Sequence, residues 1–210
     1  MALSNDGGMQ SSNTLPSLHL AAASAARTVS IHPCTEGDIK AIQAIYAHYV
    51  ATNLATFELE PPTAHQMFAR RAAILEGGYP YLVARLGGEV AGYAYASAYR
   101  SRPAYRHTVE DSIYVAPGMR QAGIGSALLR ELIAQCEQRG FRQMVGVVGN
   151  SANTGSLRVH EALGFRQVGT LGCVGYKFGQ WVDTVLMQRA LGEGASTPAA
   201  RPDQCVQPAS

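Results

Sequence analysis

The run from Tyr114 to Leu129 holds the residue types that most directly suggest chemistry, because a predicted strand passes there through a glycine-containing loop into an amphipathic helix. The loop reads Arg120-Gln121-Ala122-Gly123-Ile124-Gly125. Glycines let backbone N–H groups turn toward one point, and the start of the following helix adds partial positive charge. This arrangement predicts a binding site for a pyrophosphate.

The glycines alone leave a second interpretation open, a tight strand-to-helix turn that binds nothing. Two other nucleotide-binding motifs are excluded. The Rossmann fingerprint lacks its first glycine here, and the P-loop lacks its ending of Gly-Lys followed by Ser or Thr.

The elements that must position this loop follow from periodicity, capping and turn residues. Helices are expected after the capping pairs Thr35/Asp38 and Thr63/Gln66, over 122–139, and from Asn150-Ser151 to Leu163. Strands are expected over 28–33, 81–86, 89–98, 109–115, 144–148, 165–176 and 182–189. Strands that alternate with helices, with a tight hairpin at Gly87-Gly88, predict an α/β (α+β) fold with a mixed central sheet and helices on both faces.

Composition and charge limit the classes of protein to consider. Apolar residues make up 47% and charged residues 15% of the 210 residues, which suits one globular domain, here 28–191, between disordered ends at 1–27 and 192–210. Seventeen Lys and Arg against fifteen Asp and Glu argue against a nucleic-acid partner. No apolar run is long enough to cross a membrane, and four scattered cysteines predict reduced thiols in a cytoplasmic protein.

Two motifs then carry a resemblance to a known family. Arg120-x-x-Gly123-x-Gly125 resembles the pyrophosphate-binding signature of the GCN5-related N-acetyltransferase (GNAT) superfamily, and Asn153-x-x-Ser156-x-x-x-His160-x-x-x-Gly164-Phe165 is similar to its downstream part. Four further runs, at 56–58, 99–103, 108–115 and 174–181, resemble the phosphinothricin and methionine sulfoximine acetyltransferases. The resemblance covers about residues 28 to 190 and implies the GNAT fold, with a mostly antiparallel sheet.

The resemblance implies acetyl-CoA as the cosubstrate, without a metal. It assigns the pantetheine arm to the backbone of Ile113, Tyr114 and Val115. It assigns the pyrophosphate to the backbone of the loop and helix start, comprising Arg120, Gln121, Ala122, Gly123, Ile124, Gly125 and Ser126. Asn153 and Ser156 would lie along the coenzyme arm, and helix capping is the alternative role for both.

Acetyl transfer to an amine needs a base, because an amino group with a pKa near about 8 is largely protonated at neutral pH. The resemblance places a catalytic glutamate at Glu110, on a strand where alternation puts Asp111 on the opposite face. His160 stands where many members carry a tyrosine that protonates the coenzyme sulfur. An imidazole could take that role or help to deprotonate the amine, and a structural role is the alternative.

The substrate side is expected to involve Arg100 and Arg102, whose guanidinium groups could clamp a carboxylate or phosphinate, and Phe57 as an apolar wall. The resemblance also implies a homodimer. The expected function is acetylation of a small amino acid of the phosphinothricin, methionine sulfoximine or methionine sulfone type, in detoxification or resistance. The alternatives are a GNAT enzyme for a different small amine and a coenzyme-binding module without catalysis.

Overall fold

A computed structural model describes residues 28–119 and 123–199. The predicted leader at 1–27, the loop residues Arg120, Gln121 and Ala122, and residues 200–210 lie outside these ranges. The strands are β1 (Val29–Pro33), β2 (Tyr81–Leu86), β3 (Glu89–Ala98), β4 (Thr108–Val115), β5 (Gln143–Gly149), β6 (Arg166–Lys177) and β7 (Gln180–Ala190). The helices are α1 (Ile39–Thr52), α2 (Ala64–Glu76), α3 (Ile124–Gln138) and α4 (Thr154–Ala162).

The strands form one seven-stranded sheet in the order β1-β2-β3-β4-β5-β7-β6. All neighbours pair antiparallel except β4 and β5, which pair parallel. The expected hairpin between β2 and β3 is confirmed, and Gly87 and Gly88 adopt φ values of 63° and 89° that favour glycine. A mixed, mostly antiparallel sheet is therefore confirmed.

Helix α3 covers one face of the sheet. Its predicted apolar stripe is confirmed, because the side chains at every fourth position are fully buried against β1 to β4, namely Ile124, Leu128, Leu132 and Cys136. Helices α1 and α2 cover the opposite face over β2 to β4, so helices lie on both faces as expected. In α1 the four residues that share one helical face, Ile39, Ile42, Tyr46 and Tyr49, are all buried.

One helix prediction needs correction. Helix α4 begins at Thr154 with Asn153 as its N-cap, whereas Asn150-Ser151 was expected to cap it. Asn150 instead adopts φ 68° in the turn that leaves β5, a left-handed conformation that asparagine tolerates. The apolar residues that recur at helical spacing in α2 differ in burial: Met67 is buried and Ile74 packs partly buried against the core, whereas Phe68 and Leu75 are each 40% exposed.

The residues after β7 keep contact with the domain. Arg142 donates to the carbonyl oxygen of Gly194 at 2.8 Å and to that of Thr197 at 3.1 Å. None of the helices within 28–119 and 123–199 has the length and apolar character needed to cross a membrane.

Candidate active site

The parallel strands β4 and β5 separate partway along their length. Their pairing runs from Thr108↔Gln143 to Asp111↔Gly146 and then stops, although β4 continues to Val115 and β5 to Gly149. Over Ser112 to Val115 the edge of β4 that faces β5 consequently lacks a strand partner. We call this opening the split, and the last pair, Asp111↔Gly146, its apex.

A cavity of about 730 Å³ occupies the split. Its walls come from β4, β5, the first turns of α3 and α4, and the chain between α1 and α2. The predicted site residues that line it are Phe57, Glu110, Ile113, Tyr114, Val115, Gly123, Ile124, Gly125, Ser126, Asn153, Ser156 and His160. Residues predicted from separate motifs thus meet around one volume.

The start of α3 forms one end of this cavity. Gly123 is the residue before the helix and has φ 74°, a left-handed conformation that explains glycine at this position. A Cβ atom on Gly125 would be 3.7 Å from a Val115 methyl, so Gly125 is not sterically required. The first amide groups of a helix have no partner within the helix, so this end presents hydrogen-bond donors and partial positive charge. The other predicted anion-binding residues, Arg120, Gln121 and Ala122, lie outside the described residues.

The start of α4 forms another wall. Asn153 Oδ1 accepts a hydrogen bond from the backbone amide of Ser156 at 3.4 Å, which is the capping role considered above as the alternative. Asn153 and Ser156 both line the cavity in addition.

Glu110 lies just before the apex and lines the cavity. Burial raises the pKa of Glu110, the neighbouring charge of Asp111 raises it further, and the positive charge of Arg100 opposes both effects. A carboxylate with a raised pKa is a stronger base than one with its ordinary pKa. The position and environment therefore suit a general base.

Asp111 and His160 form a buried hydrogen-bonded pair at the apex. The His160 Nε2 atom lies 3.1 Å from Asp111 Oδ2, and Nδ1 lies 2.8 Å from the carbonyl oxygen of Ser156. The side chains of His160 and Asp111 are 5% and 2% exposed. Burial alone would lower the pKa of His160, but the hydrogen bond and charge of Asp111, with the Ser156 carbonyl, raise it overall.

The chain between α1 and α2 closes the cavity on the side of Phe57. The Phe57 ring lies so close to β6 that a Cβ atom on Gly175 would fall 2.0 Å from Cε1 of the ring. The Lys177 ammonium donates to the carbonyl oxygens of Asn53 and Thr56 at 2.9 and 2.8 Å. The end of β6 therefore holds Phe57 in place.

The two predicted clamp arginines lie outside the cavity wall. Arg100 is exposed and its guanidinium stands over the Tyr99 ring, 5.1 Å from the ring centroid. Its charge nevertheless acts on the pKa of Glu110. Arg102 is exposed at the start of the 3-10 turn Pro103–Tyr105.

No sequence pattern assigned a site role to Asp111 or Gly146, and Lys177 was indicated only as part of the run 174–181 in the family resemblance. Strand alternation correctly sets Asp111 on the face opposite Glu110, but a cavity that passes between two strands is lined from both faces. The partners of Lys177 lie more than 120 residues away in the sequence, and no local pattern reports such a contact.

Comparison with known proteins shows which family the chain resembles. A model of the Acetyltransferase (GNAT) family matches residues 42–165, a range that contains β4, β5 and the whole split. The phosphinothricin N-acetyltransferase of Alcaligenes faecalis is 53% identical over 162 residues, covering 77% of this chain and 82% of that protein. The L-methionine sulfoximine/L-methionine sulfone acetyltransferase of Salmonella typhimurium is 36% identical, covering 84% of this chain and 100% of that protein.

A solved structure is also similar over nearly the whole domain. It is the crystal structure of a GNAT superfamily phosphinothricin acetyltransferase from Sinorhizobium meliloti in complex with acetyl-CoA. The two chains are 45% identical and align with a TM-score of 0.81, covering 84% of this chain and 97% of the other.

Proposed function

Because this chain belongs to the GNAT family of acetyltransferases, we propose that it transfers the acetyl group of acetyl-CoA to the amino group of a small amino-acid-like substrate. The substrates we propose are phosphinothricin, methionine sulfoximine and methionine sulfone. The observation that carries the proposal is the split, a cavity with helix amide groups at one end and Glu110 near its apex.

The cavity suits a coenzyme with an anionic end and a long polar arm. The amide groups at the start of α3, at Ile124, Gly125 and Ser126, would hold the pyrophosphate. The edge of β4 from Ile113 to Val115, which has no strand partner on this side, would pair with amide groups of the arm as a neighbouring strand would. The Val115 carbonyl oxygen already accepts a hydrogen bond from the Tyr49 hydroxyl at 2.9 Å. Acetyl-CoA, when bound, supplies an acetyl group activated as a thioester.

Glu110 is proposed as the general base. It takes one proton from the substrate ammonium, and the neutral nitrogen then forms a C–N bond to the acetyl carbon as the C–S bond breaks. The nitrogen gives up a second proton as the amide forms, which balances the one proton that the leaving thiolate takes up, so one proton is released overall. Because the pKa of Glu110 is raised, it lies closer to the pKa of the ammonium group that Glu110 must deprotonate. Its position at the cavity wall supports this role.

His160 is proposed to neutralise the thiolate that leaves in this step. Asp111 and the Ser156 carbonyl raise the pKa of the ring above its ordinary value, and the ring lies on the cavity wall, so the positive charge of its protonated form would offset that of the thiolate.

Phe57, Arg100 and Arg102 are proposed to bind the amine substrate. Phe57 is 40% exposed at the cavity wall, which supports a role as an apolar contact. Arg100 and Arg102 precede β4 on the side of Glu110, and their exposure leaves both guanidinium groups free to meet an anionic substrate group.

A homodimer is also proposed. Strands β6 and β7 form one edge of the sheet and expose large apolar side chains there, namely Leu171, Val174, Tyr176, Phe178 and Trp181, of which Trp181 is 65% exposed. Tyr176 and Trp181 pack edge to face with ring centroids 5.2 Å apart. Exposed apolar side chains concentrated on one edge of a sheet support a protein interface. Sedimentation of the full chain as a fully active monomer would overturn the dimer.

A cytoplasmic location and a role in resistance or detoxification complete the proposal. Three cysteines in the described residues, Cys34, Cys136 and Cys173, are free thiols, which supports a reducing compartment.

The proposal is tested by incubating the purified chain with acetyl-CoA and a panel of amines, with thiol release and product mass recorded together. We expect acetylated phosphinothricin, methionine sulfoximine or methionine sulfone, and loss of product in Glu110→Gln. Acetylation of other amines alone would overturn the substrate assignment. Coenzyme binding without acetyl transfer to any amine would indicate a non-catalytic module.

A further inference from the structure

In the buried pair of Asp111 and His160 at the apex, both ring nitrogens of His160 have a polar partner, and these partners indicate where the ring protons lie. Nδ1 of His160 faces the carbonyl oxygen of Ser156, which can only accept, so Nδ1 carries a proton. Nε2 faces the Asp111 carboxyl group. If the ring were neutral, a lone pair on Nε2 would face a carboxylate, so a second proton must lie between the two side chains.

Gly146 leaves space for the pair of Asp111 and His160 because it has no side chain. A Cβ atom on Gly146 would lie 2.9 Å from Cδ2 and Nε2 of His160 and 3.2 Å from Asp111 Oδ1. Any larger residue at the apex would therefore push the ring away from the carboxylate. The pair thus depends on three residues from β4, β5 and α4.

Among the groups close to the His160 ring, Asp111 is the one whose charge acts on the ring. Phe165 meets the ring edge to face, with centroids 4.9 Å apart, and Ser156 contributes a neutral carbonyl. On the α3 side, burial raises the pKa of the Cys136 thiol to about 12, so this thiol stays neutral. Glu110 is adjacent along β4, but alternation directs it to the opposite face.

Asp111 also has an unused hydrogen-bonding atom. Oδ1 is buried, has no hydrogen-bond partner, and belongs to a side chain that lines the cavity. A buried carboxylate oxygen without a hydrogen-bond partner is costly unless a neighbouring positive charge compensates it, and a protonated His160 ring would provide that charge.

We propose that Asp111 is a positioning residue that holds His160 as an imidazolium at the apex, with both N–H bonds directed at fixed acceptors. The pair ties α4 to β4 and keeps a positive charge at the closed end of the split. The use of that charge in acetyl transfer rests on the proposed function, whereas the charge state of the ring can be measured independently.

The test is nitrogen NMR of the histidine rings in the full chain between pH 6 and 9, with His160 assigned through His160→Gln. We expect both ring nitrogens of His160 to be protonated at pH 7. In Asp111→Asn the ring should be mainly neutral at pH 7, because an amide can donate to Nε2 in place of the shared proton. In the acetylation assay the same variant should lose roughly tenfold or more in kcat, with little change in the KM of the amine.

The matched control is Glu161→Gln, which removes an exposed carboxylate next to His160 in the sequence. We expect it to leave the charge of the ring unchanged. A neutral His160 ring at pH 7 in the unaltered chain would overturn the proposal, and this measurement decides it even if Asp111→Asn fails to fold. A charged ring in folded Asp111→Asn would overturn it as well. A charged ring in a chain that acetylates no amine would leave the pair standing and refute the proposed function.

Discussion

Lys177 donates a hydrogen bond of 2.8 Å to the carbonyl oxygen of Thr56, and so connects the end of β6 to the chain beside Phe57. The ammonium is buried, and burial lowers the pKa of Lys177 while the charge of Glu58 opposes that effect. The Lys177 side chain therefore connects the wall of the cavity to β6, the edge strand that carries exposed apolar residues.

Replacement of Lys177 should weaken both the fold and the binding of the amine. Lys177→Met keeps the length of the side chain but leaves the carbonyl oxygens of Asn53 and Thr56 without their donor. We expect a loss of about 1–3 kcal/mol in the free energy of unfolding, measured in urea, and a raised KM for the amine. Lys40→Met removes an exposed lysine from α1 and should change neither value. Equal effects of the two substitutions would show that Lys177 does not hold the wall.

Gly149 is where the end of β5 meets the chain after α1. A Cβ atom there would lie 2.7 Å from the carbonyl oxygen of Leu54, a backbone atom that cannot rotate away. We expect Gly149→Ala to lower the free energy of unfolding by about 1–3 kcal/mol, measured in urea. Gly169→Ala is the control, because a Cβ atom there meets nothing within 4 Å. Stability unchanged by Gly149→Ala would contradict the close approach.

Glu110→Gln removes the proposed base while keeping the shape of the side chain. We expect kcat to fall by roughly 10²- to 10⁴-fold near neutral pH. The unaltered chain should lose activity as the pH falls through the raised pKa of Glu110, because protonation removes the base. Steady-state rates across the pH range test both points, and a full rate in Glu110→Gln would exclude Glu110 from the reaction.

Replacement of Arg100 should shift the dependence of activity on pH in a predictable direction. Its positive charge lowers the pKa of Glu110 against the effects of burial and Asp111. Arg100→Gln should therefore raise the pKa of Glu110 further and move the acid limb of kcat/KM to higher pH. Arg106 is an exposed arginine just after the 3-10 turn Pro103–Tyr105, and Arg106→Gln should leave the acid limb at the same pH. A shift toward lower pH in Arg100→Gln would contradict this electrostatic contact.

The sequence predicted the elements of this fold well because their signals are local. The β2–β3 hairpin follows from two glycines, and the buried stripe of α3 follows from apolar residues four apart. The exposed Phe68 and Leu75 of α2 show the limit of periodicity, which marks an apolar face without showing whether another element covers it.

The candidate site was predictable in its members and not in its arrangement. Glycines and a resemblance indicated Gly123, Glu110 and His160, and the structure brings all three to one cavity. Asp111 and His160 are 49 residues apart, and their contact beside Gly146 has no signature in either segment.

Calorimetric titration of acetyl-CoA into the purified chain is the most direct test of the central claim, that the split between β4 and β5 holds the coenzyme. The account predicts saturable binding at one site per chain, with the same affinity in Glu110→Gln because that carboxylate serves the amine. The absence of saturable binding in the folded, unaltered chain would contradict it.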